Sequence, residues 1–301
     1  MNSNKINNPK SLWMMVFSLL IFGSIGVFRR SLPLPSAFLA FARGLLGSAM
    51  LFAFLLLTRR GIKKGLSRRS FGLLALTGAV IGVNWMLLFE AFNRTTVAVA
   101  TLCYYMQPTV VVLLSPLFFK EKLTVRKAVC AAVAVFGMAL VSGVVGGSQG
   151  ATPGGVLFGL GAAVCYAAVV ILNKRLGGID VYQKTAVQLF FAGLVTVPYL
   201  LLTGGFGGIA WSGSTALLLL VIGVIHTGLA YLLYFGSMDG LRAQTVAMLS
   251  YIDPVAALLF SALFLHEPLG AAGIVGAVLI IGSAIVSEIE SKSRQFNQKG
   301  G

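Results

Sequence analysis

The sequence predicts an all-α membrane protein in which ten transmembrane helices form two inverted five-helix repeats. Three observations predict it. Of 301 residues, 57% are hydrophobic and only 10% charged, with a mean hydropathy of +0.92, whereas a soluble domain carries about a quarter charged residues. The apolar residues gather into runs of membrane-crossing length. The second half of the chain repeats the pattern of the first at a nearly constant offset.

The runs lie at about 12–28, 35–57, 71–91, 96–119, 126–146, 153–173, 181–203, 214–235, 242–265 and 269–287. Each is near the ~20 residues that span a bilayer core of ~30 Å. The first follows a basic start, as a signal peptide would. It is too long for one, lacks a small-x-small cleavage site and is needed by the repeat, so it is read as a retained helix.

The net charge of +15 is distributed by side rather than clustered. Arg29, Arg30 and Arg94 fall in loops on one side and Arg43 inside a helix; the other 19 of the 23 Lys and Arg residues fall on the opposite side. The positive-inside rule then places both termini in the cytoplasm of a multi-pass cell-membrane protein. This asymmetry accounts for the basic balance, and no nucleic-acid partner is expected. The partners expected are the lipid bilayer and a small-molecule substrate. Cys103, Cys130 and Cys165 all lie in apolar helices, where they read as small packing residues rather than disulfides or metal ligands.

"YYMQPTVVVLLSPLFFKEKL" (104–123) and "SYIDPVAALLFSALFLHEPL" (250–269) align at an offset of 146 with eight identities, among them Tyr105/Tyr251, Pro108/Pro254, Ser115/Ser261 and Glu121/Glu267. At offset 145, Gly137/Gly282, Ala139/Ala284, Val141/Val286 and Ser142/Ser287 also agree, and Arg29-Arg30 falls on Lys174-Arg175. The chain therefore divides into repeats at 1–147 and 148–301. Five helices per repeat is an odd number, so the second copy enters the membrane from the other side. Inverted repeats of this kind mark secondary transporters.

On these paired motifs, each a proline in the fourth helix followed by a glutamate and a glycine-bearing fifth helix, the sequence resembles the EamA-type ten-helix members of the drug/metabolite transporter superfamily. The likeness runs from about residue 12 to 287. It implies a carrier, typically an exporter, of amino acids, other metabolites, choline-like compounds or drugs. It also implies a central cavity surrounded by the first four helices of each repeat, with the fifth helix peripheral.

Polar groups at mid-depth are costly, about 2.5–3.5 kcal/mol on insertion scales, and are the candidates for a site. Gln107 and Asp253 occupy matching places, each before a proline that removes a backbone donor and disfavours helix at the preceding residue. Pro108 and Pro254 thus predict kinked helices lining a cavity, where the freed carbonyls find partners. Asp253 is suited to take up and release a proton, or to face a cationic substrate. Gln107 can equally bond a neighbouring helix. Arg43 is a second candidate, either in a structural pair with Asp253 or Glu90 or facing a substrate anion. If both Arg43 and Asp253 line the cavity, they suit a zwitterion such as an amino acid.

His226 reads as an interhelical hydrogen-bond partner with a proton relay as the alternative. Glu90, near the end of its helix, reads as a solvated or Arg94-paired gate and a further coupling candidate. Asn84 and Trp85 belong to the same tier. Tyr104, Tyr105, Tyr231 and Tyr251 form either an aromatic wall or ordinary packing. Glu121 and Glu267 are expected to be structural, capping the next helix or pairing with Lys122 or Arg126. Gly78-xxx-Gly82 and Gly155-xxx-Gly159 predict close helix approach, within the chain first and in a homodimer second.

No cofactor or metal is expected. His226 and His266 are the only histidines, "HEPLG" lacks the second histidine of a zinc motif, and no phosphate-binding loop is present. An enzyme is thereby disfavoured. The expected function is secondary active transport of a small metabolite such as an amino acid, export by resemblance, by alternating access and with possible proton coupling. The alternatives are import of a cation such as choline and efflux of drugs.

Overall fold

The computed structural model describes residues 8–59, 66–119, 124–142, 150–207, 209–241, 243–267 and 269–297, and among these every regular element is helical. Polar side chains placed just before the apolar runs begin the helices. Asn8 accepts the Lys10 N–H ahead of α1 (Pro9–Arg30), and Ser67 the Ser70 N–H ahead of α3 (Arg68–Arg94). Thr96, Thr124, Thr152 and Asp180 do the same for α4 (Val97–Tyr104), α6 (Val125–Val141), α7 (Pro153–Asn173) and α8 (Val181–Leu194). A helix end in or near lipid cannot turn to water for partners, so these caps matter more than on a soluble helix. α2 (Ser36–Leu57) starts directly after Pro35 without one.

Pro108 and Pro254 mark interruptions between helices rather than kinks within them. α4 ends at Tyr104 and α5 (Gln107–Phe119) begins three residues later, with Pro108 in its first turn. α12 (Ala243–Leu249) likewise gives way to α13 (Ile252–Phe264), with Pro254 in the first turn. A first-turn proline lacks only an N–H that would have no helical partner anyway. The run 181–203 breaks by the same logic at Pro198, between α8 and α9 (Val197–Thr203). The run 214–235 is continuous but not uniform. α10 (Gly213–Leu220) passes into a nine-residue π-helical segment, Val221–Leu229, before α11 (Ala230–Met238).

Among the described residues seven spans are long and apolar enough to cross a membrane: α1, α2, α3, α4 with α5, α7, α8 with α9, and α10 through α11. The runs at 126–146, 242–265 and 269–287 fall short of that standard. They contain α6 with 17 residues, α13 with 13, and the apolar part, Ala271–Ser287, of α14 (Ala271–Asn297). Seventeen residues give only about 25 Å of helix.

The main packing joins the first half of the chain to the second. α2 crosses α8, α3 lies against α7 and α8, α1 against α11 and α13, α7 against α4 and α5, and α6 against α14. α2 and α8 meet at backbone distance, since a Cβ on Gly44 would lie 2.6 Å from the Gly193 nitrogen and one on Gly193 2.9 Å from the Phe41 carbonyl oxygen. Gly78 and Gly82 face the backbone of α8, and Gly155 and Gly159 face Thr95 and Cys103, so both glycine pairs serve contacts within the chain.

Candidate substrate site between the two halves

The two helix breaks face each other. The Tyr105 hydroxyl, from the break after α4, donates to Asp253 Oδ2 at 2.5 Å, in the first turn after the opposite break. Under the 146-residue offset Tyr105 matches Tyr251 and Asp253 matches Gln107, so the bond links one member of each matched pair. Gln107 is not satisfied in the same manner; its Oε1 is buried with no hydrogen-bond partner. Tyr251 is half-buried beside the break it terminates.

Arg43, two turns into α2, is 4% exposed. Its Nε donates to Thr227 Oγ1 at 3.0 Å, and its guanidinium carbon sits 3.9 Å from the centroid of the Trp85 ring and 5.4 Å from that of Phe89. It pairs with neither Asp253 nor Glu90, correcting both structural pairings weighed from the sequence: the two ion pairs among the described residues are Arg30–Glu267 and Arg94–Glu90. Its two terminal nitrogens accordingly make no hydrogen bond or ion pair there. Tyr104 and Tyr231 each lie within electrostatic reach of both Arg43 and Asp253. Tyr104 also packs on Tyr105 and Tyr166, and Tyr231 stacks on Phe235 and meets Phe22 edge-on. The aromatic wall thus draws on α1, α4, α7 and α11.

The π segment positions the partners of Arg43. Thr227 donates to the Ile222 carbonyl at 2.9 Å, five residues back, while His226 Nδ1 lies 3.3 Å from the carbonyl of Val221, also five back. Both side chains therefore cap the widened turns. His226 Nε2 is 3.0 Å from Ser24 Oγ on α1, and its ring packs on Phe28. π turns recur at functional sites. Asn84 is fully buried on α3, donating to the Ala162 carbonyl of α7 at 2.6 Å and leaving its Oδ1 without a partner. Trp85, the next residue, turns to Arg43 instead.

Glu90 lies apart from this centre, at the end of α3, where Arg94 Nε (2.7 Å), Ser36 (3.1 Å) and Asn93 (3.4 Å) donate to it. Glu267 is the other correction. Among the described residues it neither caps α14 nor pairs with Arg126. It reaches across to the first half, pairing with Arg30 and accepting the Val97 N–H at the start of α4. Glu121, its counterpart, and Lys122 lie outside the described residues. Thr227, Tyr166, Phe89 and Ser24 were not singled out from the sequence. Only a view of which residues face Arg43 and His226 finds them.

The chain is matched twice by a family model, the EamA-like transporter family, at residues 9–143 and 153–288. It is 32% identical over 255 residues to the uncharacterized transporter YxxF of Bacillus subtilis, covering 83% of this chain and 80% of that protein. It is 29% identical to the protein PecM of Dickeya dadantii (73% and 74% covered) and 31% identical to the protein RarD of Streptomyces exfoliatus (71% and 67% covered). A crystal structure aligns with a TM-score of 0.63 over 94% of this chain and 98% of its own, at 20% identity, which speaks for the fold alone. Matched over nearly its whole length by a duplicated family model, this chain belongs to the EamA-like transporter family.

Proposed function

We propose that the protein is a secondary active carrier that moves an amino-acid-like zwitterion by alternating access, binding it between Arg43 and Asp253. Arg43 carries the reading. A buried charge without a counter-ion costs several kcal/mol, on the order of 3 or more when a partner is missing. Here the Trp85 face and Thr227 meet part of that cost, and two guanidinium nitrogens remain free. A substrate carboxylate would complete them bidentately. Its ammonium group would then face the tyrosines and Asp253. A cation such as choline fits less well, because Arg43 already occupies the Trp85 face and repels it.

Ten spans in two inverted repeats suit this role, and the packing supports them. Exchanging α1 with α7, α2 with α8, α3 with α10–α11, α4–α5 with α12–α13 and α6 with α14 turns the contact of α1 with α13 into that of α7 with α5. It likewise turns α2 against the π segment into α8 against α3, and leaves α2–α8 and α6–α14 unchanged. The twofold family match supports the same division. The charge asymmetry supports an orientation with both termini in the cytoplasm and the Arg30–Glu267 end outside. Export follows the family, with Asp253 exchanging a proton for substrate, and no covalent chemistry is required.

The test is counterflow in proteoliposomes with a panel of amino acids, amines and organic acids, under imposed pH gradients. A saturable amino-acid signal in the wild type, lost in Arg43→Met, is expected. Transport and pH dependence left intact by Arg43→Met would remove the zwitterion. An unsaturable conductance would make the protein a channel.

A further inference from the structure

Glu267 sits in a connection between helices, yet two of the three hydrogen bonds its carboxylate accepts come from the other half of the molecule. Oε1 accepts from Arg30 Nη2 at 2.8 Å; Oε2 accepts the Val97 backbone N–H at 2.9 Å and the Ser261 hydroxyl at 2.9 Å. The same Arg30 nitrogen donates to the Thr95 carbonyl at 2.8 Å. One carboxylate thereby ties the end of α1, the turn between α3 and α4, the first turn of α4 and the end of α13. The anion also sits at the N-terminus of α4, where the helix dipole favours it. His266 adopts the left-handed region at φ 53, uncommon for a residue with a side chain, and this turn folds Glu267 back onto Ser261.

The rest of this end is tied as well. Thr95 donates to the Gly150 carbonyl at 2.7 Å, Thr152 to the Arg94 carbonyl at 2.6 Å, and the 204–212 connection packs Phe206 and Trp211 on Phe38. The opposite end differs. α4 packs on α13, but among the described residues their counterparts α12 and α5 make no comparable contact. The pseudo-symmetry is broken in one sense: among the described residues α4 and α13 meet at the Arg30 end, whereas α12 and α5 do not pack on each other at the other, where the start of α1 bonds to the end of α11 instead.

We infer that Arg30 and Glu267 form the latch of the outer gate, shut in this structure, and that each transport cycle must break and remake it. Glu267 acts as a positioning residue, holding α4 and α13 together above the site without touching substrate. The inference rests on the alternating-access reading, but its test reads distance rather than transport, so the two can fail separately. Bonds made only while the outer end is closed shift the population toward closure there.

Spin labels at Ser31→Cys, exposed, and Gly270→Cys, where a Cβ meets nothing within 4 Å, report the separation of the two connections by pulsed double-resonance spectroscopy. The background is the full chain in nanodiscs with Cys103, Cys130 and Cys165 replaced by alanine. Arg30→Gln and Glu267→Gln should each raise the ratio of long to short distances about fivefold, as for a half-exposed charge-assisted pair. The double variant should go no further than Glu267→Gln alone. If Glu267→Gln does not fold, Arg30→Gln with Ser261→Ala makes the same comparison. Distances unchanged in the single variants, or effects that multiply in the double, would overturn the latch. A lost latch with counterflow retained would leave the carrier standing, and a confirmed latch in a protein without counterflow would count against the carrier alone.

Discussion

The guanidinium of Arg43 lies face-on to the indole of Trp85, 3.9 Å from the ring centroid, so a π face stands where a buried arginine ordinarily meets a carboxylate. The ring holds the charge from one side while leaving both terminal nitrogens free, which a salt bridge would not.

Arg43→Lys keeps the charge but loses the planar stack and the fork. We expect about a tenfold rise in transport KM, roughly 1.4 kcal/mol, with the maximal rate less affected. Trp85→Phe should produce a smaller rise in the same direction. Initial-rate counterflow measures both, and a lysine variant indistinguishable from wild type would mean the arginine only packs.

The Tyr105–Asp253 bond joins the two helix breaks. Tyr105→Phe should cost about 1.5–3 kcal/mol of stability, as for a hydrogen bond to a charged group, seen as a lower melting temperature in detergent. In an Asp253→Asn background the same change should cost much less. Additive losses would show that the bond contributes nothing of its own.

Asp253→Asn should separate exchange from coupling. Counterflow at equal pH should persist, while accumulation driven by an imposed pH gradient disappears, because an amide cannot carry the proton across. Gradient-driven uptake surviving in the variant would move the coupling role to another group.

Gly44→Ala places a Cβ 2.6 Å from the Gly193 backbone nitrogen, with no flexible side chain to yield. The expected loss is about 1–3 kcal/mol or more, read as aggregation on size-exclusion chromatography. Gly282→Ala, whose Cβ would meet nothing within 4 Å, should behave as wild type.

Much of this architecture was legible in the sequence. Apolar runs place most helix starts within a few residues, because lipid demands an apolar surface along each span. The Pro108 and Pro254 motifs announce breaks, though as interruptions with proline in a new first turn. Thr196 and the π segment carry no comparable mark: Pro198 lies in a run apolar enough to read straight through, and the hydrogen-bond register of Val221–Leu229 depends on Thr227 and His226 finding carbonyls five residues back. Partner identity was the least legible. Arg43 and Glu267 stand out as charges in apolar sequence, but that the first meets Trp85 and Thr227, and the second Arg30 and Val97, depends on how two halves far apart in the chain dock.

The reliance of each half on the other has a consequence for biosynthesis. Nearly every close helix pair draws one member from residues 9–143 and one from 153–288. As the nascent chain leaves the ribosome, the first half inserts before any of these partners exist, with Arg43 lacking Thr227 and the Gly44 face unmatched. Contacts of such long sequence separation form late and slowly. A ribosome stalled midway should therefore yield a degradation substrate rather than a stable half-protein, and two separately encoded halves should accumulate only when made together.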